Sequence, residues 1–247
     1  MLGTKAEELA FEGFDFVIHA LKRTGRNGVC AQERNIKMEK KMTRRNVMAG
    51  GLVLTLAGLL NETAFARETV ENEKCWTYVK LDPQKVAQSV YETFGAHGCM
   101  YGAVKGALKV YAEQADGLDA QAAKAFPCQV LRYGRAGVAH LKEICGAVSG
   151  GVMFMSFFVE DYADIRVMAA ELAKFSAEAE LPTFIPEVDE HPDFRRVVSN
   201  CITCREMGGA WVKAASEKQM KIVLERCRRH AASIMAKTVE ILNAHYA

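Results

Sequence analysis

Beyond residue 66 the chain holds seven cysteines: Cys75, Cys99, Cys128, Cys145, Cys201, Cys204 and Cys227. An odd number argues against a simple disulfide framework. The cysteine content is also too low for a disulfide-dense scaffold. Cys201 and Cys204 form a C-x-x-C pair in "NCITCREMGG", a spacing that lets both sulfurs reach one metal, one cluster or each other. Iron-sulfur ligation, zinc ligation, a redox dithiol and a structural disulfide are all open to it. Cys99 in "HGCMYGAVKGALKVY" and Cys145 in "EICGAVSGGVMF" each stand beside spaced glycines. Cys227 in "LERCRRH" neighbours Arg226, Arg228 and Arg229, a cationic setting that favours a thiolate. Cys75 and Cys128 have no partner at a telling spacing and read as structural.

Helices must position these thiols, because the pattern past residue 66 is helical almost throughout and the whole chain has only five prolines. The expected fold class is all-α, a compact multi-helix bundle. Helices are predicted over 83–94, with Asp82 as cap and Pro83 in the first position, and over 97–114, 120–133, 138–158, 160–179 and 210–244. Pro182, Pro186 and Pro192 mark 181–194 as the long loop, and the C-x-x-C pair falls in a turn. Gly98, Gly102 and Gly106 recur every fourth residue, as do Gly146 and Gly150. Each glycine costs a helix interior roughly 1 kcal/mol relative to alanine. The spacing therefore predicts two smooth faces that approach closely and bring Cys99 and Cys145 to the seam. Plain close packing around inert thiols is the alternative.

"CGAVSGG" from Cys145, a preceding "GC" at Cys99, a cysteine at 201 or 204 and a last one at Cys227 resemble the redox-active C-GCAxxG-C-C family, through its CGAxxG motif. The resemblance extends over about 88–243, and the doubled third position leaves Cys201 and Cys204 as alternatives. It implies an iron-sulfur cluster, [2Fe-2S] or [4Fe-4S], held by Cys99, Cys145, Cys201 or Cys204, and Cys227, four thiolates being the usual complement. Electron transfer rather than substrate turnover is then expected, with a redox partner protein. The family is similar in turn to the split-Soret cytochromes c, which implies a possible homodimer and keeps haem binding open. Covalent haem needs C-x-x-C-H, and Arg205 follows Cys204. His97, two residues before Cys99, is a candidate ligand at the same site, while His140 and His230 read as ordinary helix residues. The other readings are a thiol-disulfide protein working through Cys201 and Cys204 and a structural zinc module.

Arg44 and Arg45 precede an apolar run from Val47 to Leu60, and Ala64-Phe65-Ala66 offers a small-x-small cleavage site. The run is too short for a membrane span, which needs about 20 residues. The paired arginines resemble the twin-arginine export signal. Residues 1–37 then read as a non-native extension, 38–66 as a cleavable signal and 67–247 as a periplasmic helical redox domain without a membrane span. The first 66 residues carry ten Lys+Arg against seven Asp+Glu, so the rest has a net charge of −1 and no nucleic-acid partner is expected. No phosphate-binding glycine loop, nucleophile elbow or paired metal-binding histidine motif is present, which leaves hydrolase and nucleotide-binding readings unsupported.

Overall fold

The computed structural model describes residues 75–247 apart from 217, 218, 220 and 221. The expected extension and export signal lie outside the described residues. Within them the chain forms α1 (Pro83–Thr93), α2 (Cys99–Gln114), α3 (Gly117–Ala125), α4 (Gly146–Ser156), α5 (Tyr162–Glu178), α6 (Cys204–Ala214) and α7 (Val223–His245). Short 3-10 turns occupy Gly95–His97 and Cys128–Gly134. The β pairings among the described residues are two isolated bridges, Ile144 with Thr203 and Leu181 with Val197. The fold is all-α, as the periodicity requires. No described helix is long and apolar enough to cross a membrane.

The Asp82 carboxylate accepts from the Gln84 and Lys85 amides, and Pro83 opens α1 where a missing N–H costs nothing. Helix α2 is the central element, with Met100, Ala103, Val104, Ala107, Leu108 and Tyr111 all buried. Its glycine face meets α1: a Cβ on Gly106 would lie 2.5 Å from the Val90 Cα, and one on Gly102 would lie 2.7 Å from the Phe94 Cα. Ser89 closes this contact by donating to the Gly106 carbonyl at 2.9 Å. Helix α4 lies on another flank of α2, where Gly150 faces Ala103 and Val104 while Gly146 meets the Gly134 carbonyl and the Met100 amide. The two glycine rows therefore do not face each other. The row on α2 admits α1, and the glycines of α4 alone bring Cys145 toward Cys99.

Helix α7 packs on α1, α2, α4 and α5. At one end of the bundle Trp76 stacks on Phe157 at 4.6 Å and on Tyr111 at 5.8 Å. Asn243 on α7 accepts from the Tyr78 hydroxyl and the Leu81 amide and donates to the Leu81 carbonyl, so it holds the segment before α1 in place. Phe154 and Phe158 are buried, as core residues should be. The long connection after α5 is tied down by Ser233, whose hydroxyl oxygen accepts from the Thr183 and Phe184 amides, and by Arg229, which pairs with Glu225 and Asp189.

Three predicted boundaries move. The helix expected over 138–158 begins at Gly146, because the Cys145 amide donates to the Ile202 carbonyl instead of continuing a helix. The helix expected over 120–133 divides at Phe126 into α3 and the Cys128–Gly134 turn. The helix expected over 210–244 becomes α6 and α7, because Ala215 is extended and caps α6 by donating to the Trp211 carbonyl.

Gly106→Ala should lose about 1–3 kcal/mol in urea denaturation, since the new methyl meets backbone and the overpacking outweighs the gain in helix propensity. Gly208, with nothing within 4 Å of its missing Cβ, is the contrast. Gly208→Ala in the same assay should stabilise by up to about 1 kcal/mol. Asp189 offers a pH test, because the Arg229 guanidinium holds its carboxyl below the ordinary 3.8. Its contribution is complete above that value and lost as pH falls through the lower folded value. Asp189→Asn should flatten the fall in stability over that acid range.

Candidate functional site

Three cysteines stand where helices begin. Cys99 is the first residue of α2, after Gly98 has turned the chain at φ 90°; Cys145 is the N-cap of α4; Cys204 is the first residue of α6. A helix start leaves backbone N–H groups without intrahelical partners and carries a partial positive charge, which favours thiolate over thiol. Neither α2 nor α4 has a side-chain cap, whereas Thr203 caps α6 by accepting from the Glu206 amide at 3.3 Å. Cys227 lies early in α7.

Cys145 and Cys204 are set side by side by the Ile144–Thr203 bridge. The Cys145 amide donates to the Ile202 carbonyl at 2.9 Å, and the Cys204 amide donates to the Glu143 carbonyl at 2.6 Å. Residues leading into this bridge follow an unusual path, with Ala136, Gly137, Val138, Ala139, His140 and Lys142 all at positive φ. Such a conformation costs a non-glycine residue about 1–2 kcal/mol. It persists because the Ala139, Lys142 and Glu143 amides are bonded to the Tyr133, Ala136 and Gly137 carbonyls. The turn packs on the site: a Cβ on Gly137 would lie 2.8 Å from the Cys204 Cβ.

Cys99, Cys145 and Cys227 are in hydrogen-bonding reach of one another through Cys99. Cys99 keeps its proton, held well above the ordinary thiol value by the sulfurs of Cys145 and Cys227 and by burial. Cys145 is correspondingly pulled well down by the Cys99 hydrogen bond, with burial opposing and His230 and Arg226 assisting. The Cys99 hydrogen bond, followed by Arg226, lowers Cys227 to about 6 against the desolvation of its site. Cys204 is pushed up to about 12 by burial and then by the charges of Cys145 and Cys227. Arg226 itself is buried, with an Nη1 3.9 Å from the Cys227 sulfur, and makes no ion pair with a carboxylate among the described residues. Its charge faces sulfur.

His230 stands three residues after Cys227 on the same helix, 2% exposed and beside the Cys145 sulfur. Neither of its ring nitrogens has a partner at hydrogen-bond geometry. The His97 ring lies 4.7 Å from that of Tyr101, and His140 is exposed on the left-handed turn. Cys75 and Cys128 are free thiols, half-buried, outside the group. Cys201 is disulfide-bonded while Cys204 is free, so the C-x-x-C residues are not bonded to each other. Among the described residues no group of three or more His, Cys, Asp or Glu side chains is placed to hold a metal ion as the side chains stand.

Two features of the site have weak signals in the sequence. The i+3 spacing puts His230 on the helix face of Cys227, and packing then brings it to the Cys145 sulfur. The "T-C-R-E" at 203–206 is a capping-box pattern that marks Cys204 as the opening of a helix rather than part of a turn.

The profile of the family described as "Putative redox-active protein (C_GCAxxG_C_C)" matches residues 110–241. The match includes Cys145, Cys201, Cys204 and Cys227 and begins after Cys99, so it is narrower than the 88–243 expected. Among solved structures the chain is similar to the split-Soret cytochrome c from Desulfovibrio desulfuricans ATCC 27774, a protein in which a novel iron centre is described. The identity is 27% and the TM-score 0.60, over 69% of this chain and 72% of that one. No curated protein matches.

Titrating the thiolate absorbance of the metal-free protein should reveal a group with a midpoint near 6 that belongs to Cys227. Cys99→Ala and Arg226→Met should each raise that midpoint, since each removes an influence that favours the thiolate.

Proposed function

The chain belongs to the C_GCAxxG_C_C family of redox proteins, and on that premise we propose that it binds an iron-sulfur cluster, [2Fe-2S] or [4Fe-4S], and transfers single electrons between partner proteins. The observation that carries the reading is the donor set: free thiols of Cys99, Cys145 and Cys227 in mutual reach, with Cys204 beside them. Three helix starts and the buried Arg226 supply positive potential at that point. A cluster ligated by four thiolates is anionic, and such a setting compensates its charge. When bound, the cluster supplies the site that gains and loses the electron.

The residues of the chain do the rest. Cys99, Cys145, Cys204 and Cys227 hold the group, Cys204 being the member of the C-x-x-C pair that lies beside the sulfurs of Cys145 and Cys227. Arg226 offsets the sulfur charge. The left-handed turn at 136–142 packs against Cys204. The buried aliphatic and aromatic side chains of α2, α4 and α7 wall the sulfurs off from bulk water. The paired arginines and apolar run near residue 44 support export to the periplasm by the twin-arginine route, which carries folded proteins with their cofactor in place.

The test is anaerobic purification of the chain from Arg67, followed by a visible spectrum with iron and sulfide analysis. Broad visible absorbance with stoichiometric iron and sulfide is expected. Cys145→Ser and Cys204→Ser should abolish both, and Cys201→Ser should leave them intact. A colourless protein that cannot be reconstituted would defeat the assignment, and loss of the cluster in Cys201→Ser rather than Cys204→Ser would reverse the choice of third ligand.

A further inference from the structure

Two buried side chains have polar atoms without a hydrogen-bond partner among the described residues, Ser176 and His230, and His230 is the one at the sulfurs. Its ring is 98% buried, and neither Nδ1 nor Nε2 has a partner at full hydrogen-bond geometry, the polar contact of the ring being with the Cys145 sulfur. A buried polar atom left without a bond is a standing cost to the fold. Elsewhere the same helix satisfies its buried polar groups: Ser233 donates to the Arg229 carbonyl, Thr238 donates to the Ile234 carbonyl, and Arg229 pairs with Glu225 and Asp189. The imidazole lies against Cys145, on the helix face that also carries Cys227.

An imidazole has at least one N–H in any of its forms. Beside His230 the structure places the Cys145 sulfur, an acceptor of matching chemistry. Four cysteines already supply the complement that either cluster needs, so the histidine is left over as a donor. We propose that His230 donates a hydrogen bond to a sulfur of the bound cluster and thereby sets its reduction potential. This rests on the cluster reading above. Hydrogen bonds to ligand or bridging sulfur withdraw electron density and favour the more negatively charged reduced state, which raises the potential. His230 is thus a tuning residue that acts through sulfur.

The experiment compares wild type with His230→Leu, His230→Met and His230→Gln, each reconstituted anaerobically with iron and sulfide. It reads iron and sulfide content, the visible spectrum, the midpoint potential by redox titration, and the melting temperature of the metal-free protein. All four should load the same iron and sulfide. The Leu and Met variants should have a lower potential than wild type, and Gln, which keeps an N–H, should lie between. Metal-free Leu or Met protein should melt higher than wild type, because the orphaned ring is gone. Equal potentials in loaded wild type and the Leu or Met variants would overturn the proposal while leaving the cluster assignment standing. Loss of iron from a folded Leu or Met variant would make His230 a ligand and also overturn it. A wild-type protein that takes up no iron would remove the cluster reading and this proposal together. Should Leu not fold, Met carries the comparison.

Discussion

Ionised sulfur inside a helical core is tolerable only where positive potential reaches it, and that requirement organises the molecule. Desolvation opposes charge on Cys145 and Cys227. The opposition is overcome by the proton retained on Cys99 and by Arg226, with His230 assisting at Cys145. Placing helices that are far apart in sequence with their first residues together takes close approach elsewhere. Gly102 and Gly106 let α1 lie against α2, and Gly146 lets α4 begin against the Gly134 carbonyl.

Helix α7 divides its charges between two tasks. Arg226, Cys227 and His230 face the sulfurs, whereas Arg229 reaches Asp189 and Arg228 lies over the Tyr91 ring at 3.8 Å and donates to the Tyr91 carbonyl. The three adjacent cationic residues around the cysteine thus do not form a single basic patch. One compensates buried thiolate, and the others anchor the long connection and α1. A charge-based reading of "LERCRRH" that assigned all the arginines to the thiol would have been wrong for two of the three.

Much of the fold was legible from local chemistry. Asp82-Pro83 fixed the start of α1, the apolar periodicity located α2 and α5, and the grouping of Cys99, Cys145 and Cys227 agrees with the cysteine order of the family resemblance, whereas the α2 glycines expected at the seam admit α1 instead. The unreadable parts are those where distant residues decide. Residues 136–142 are mostly alanine, valine, histidine and lysine, which no propensity places at positive φ; backbone bonds to the preceding turn and the strand-like contact with 202–205 impose it. The choice between Cys201 and Cys204 could not be made from spacing, because both lie at the third position of the pattern. The burial of His230 depends on how α7 seats against α4, which one sequence does not encode in any short window.

The bridge between Ile144 and Thr203 also has a bearing on biogenesis. It is the contact that sets Cys145 beside Cys204, and it joins halves of the chain that leave the ribosome far apart in time. Cys227 emerges later still. A nascent chain that has exposed Cys99 and Cys145 holds only part of the donor set, with no Arg226 to offset its charge. The full group of cysteines, with the arginine that faces it, therefore exists only once the chain is complete and α7 has packed on the other helices.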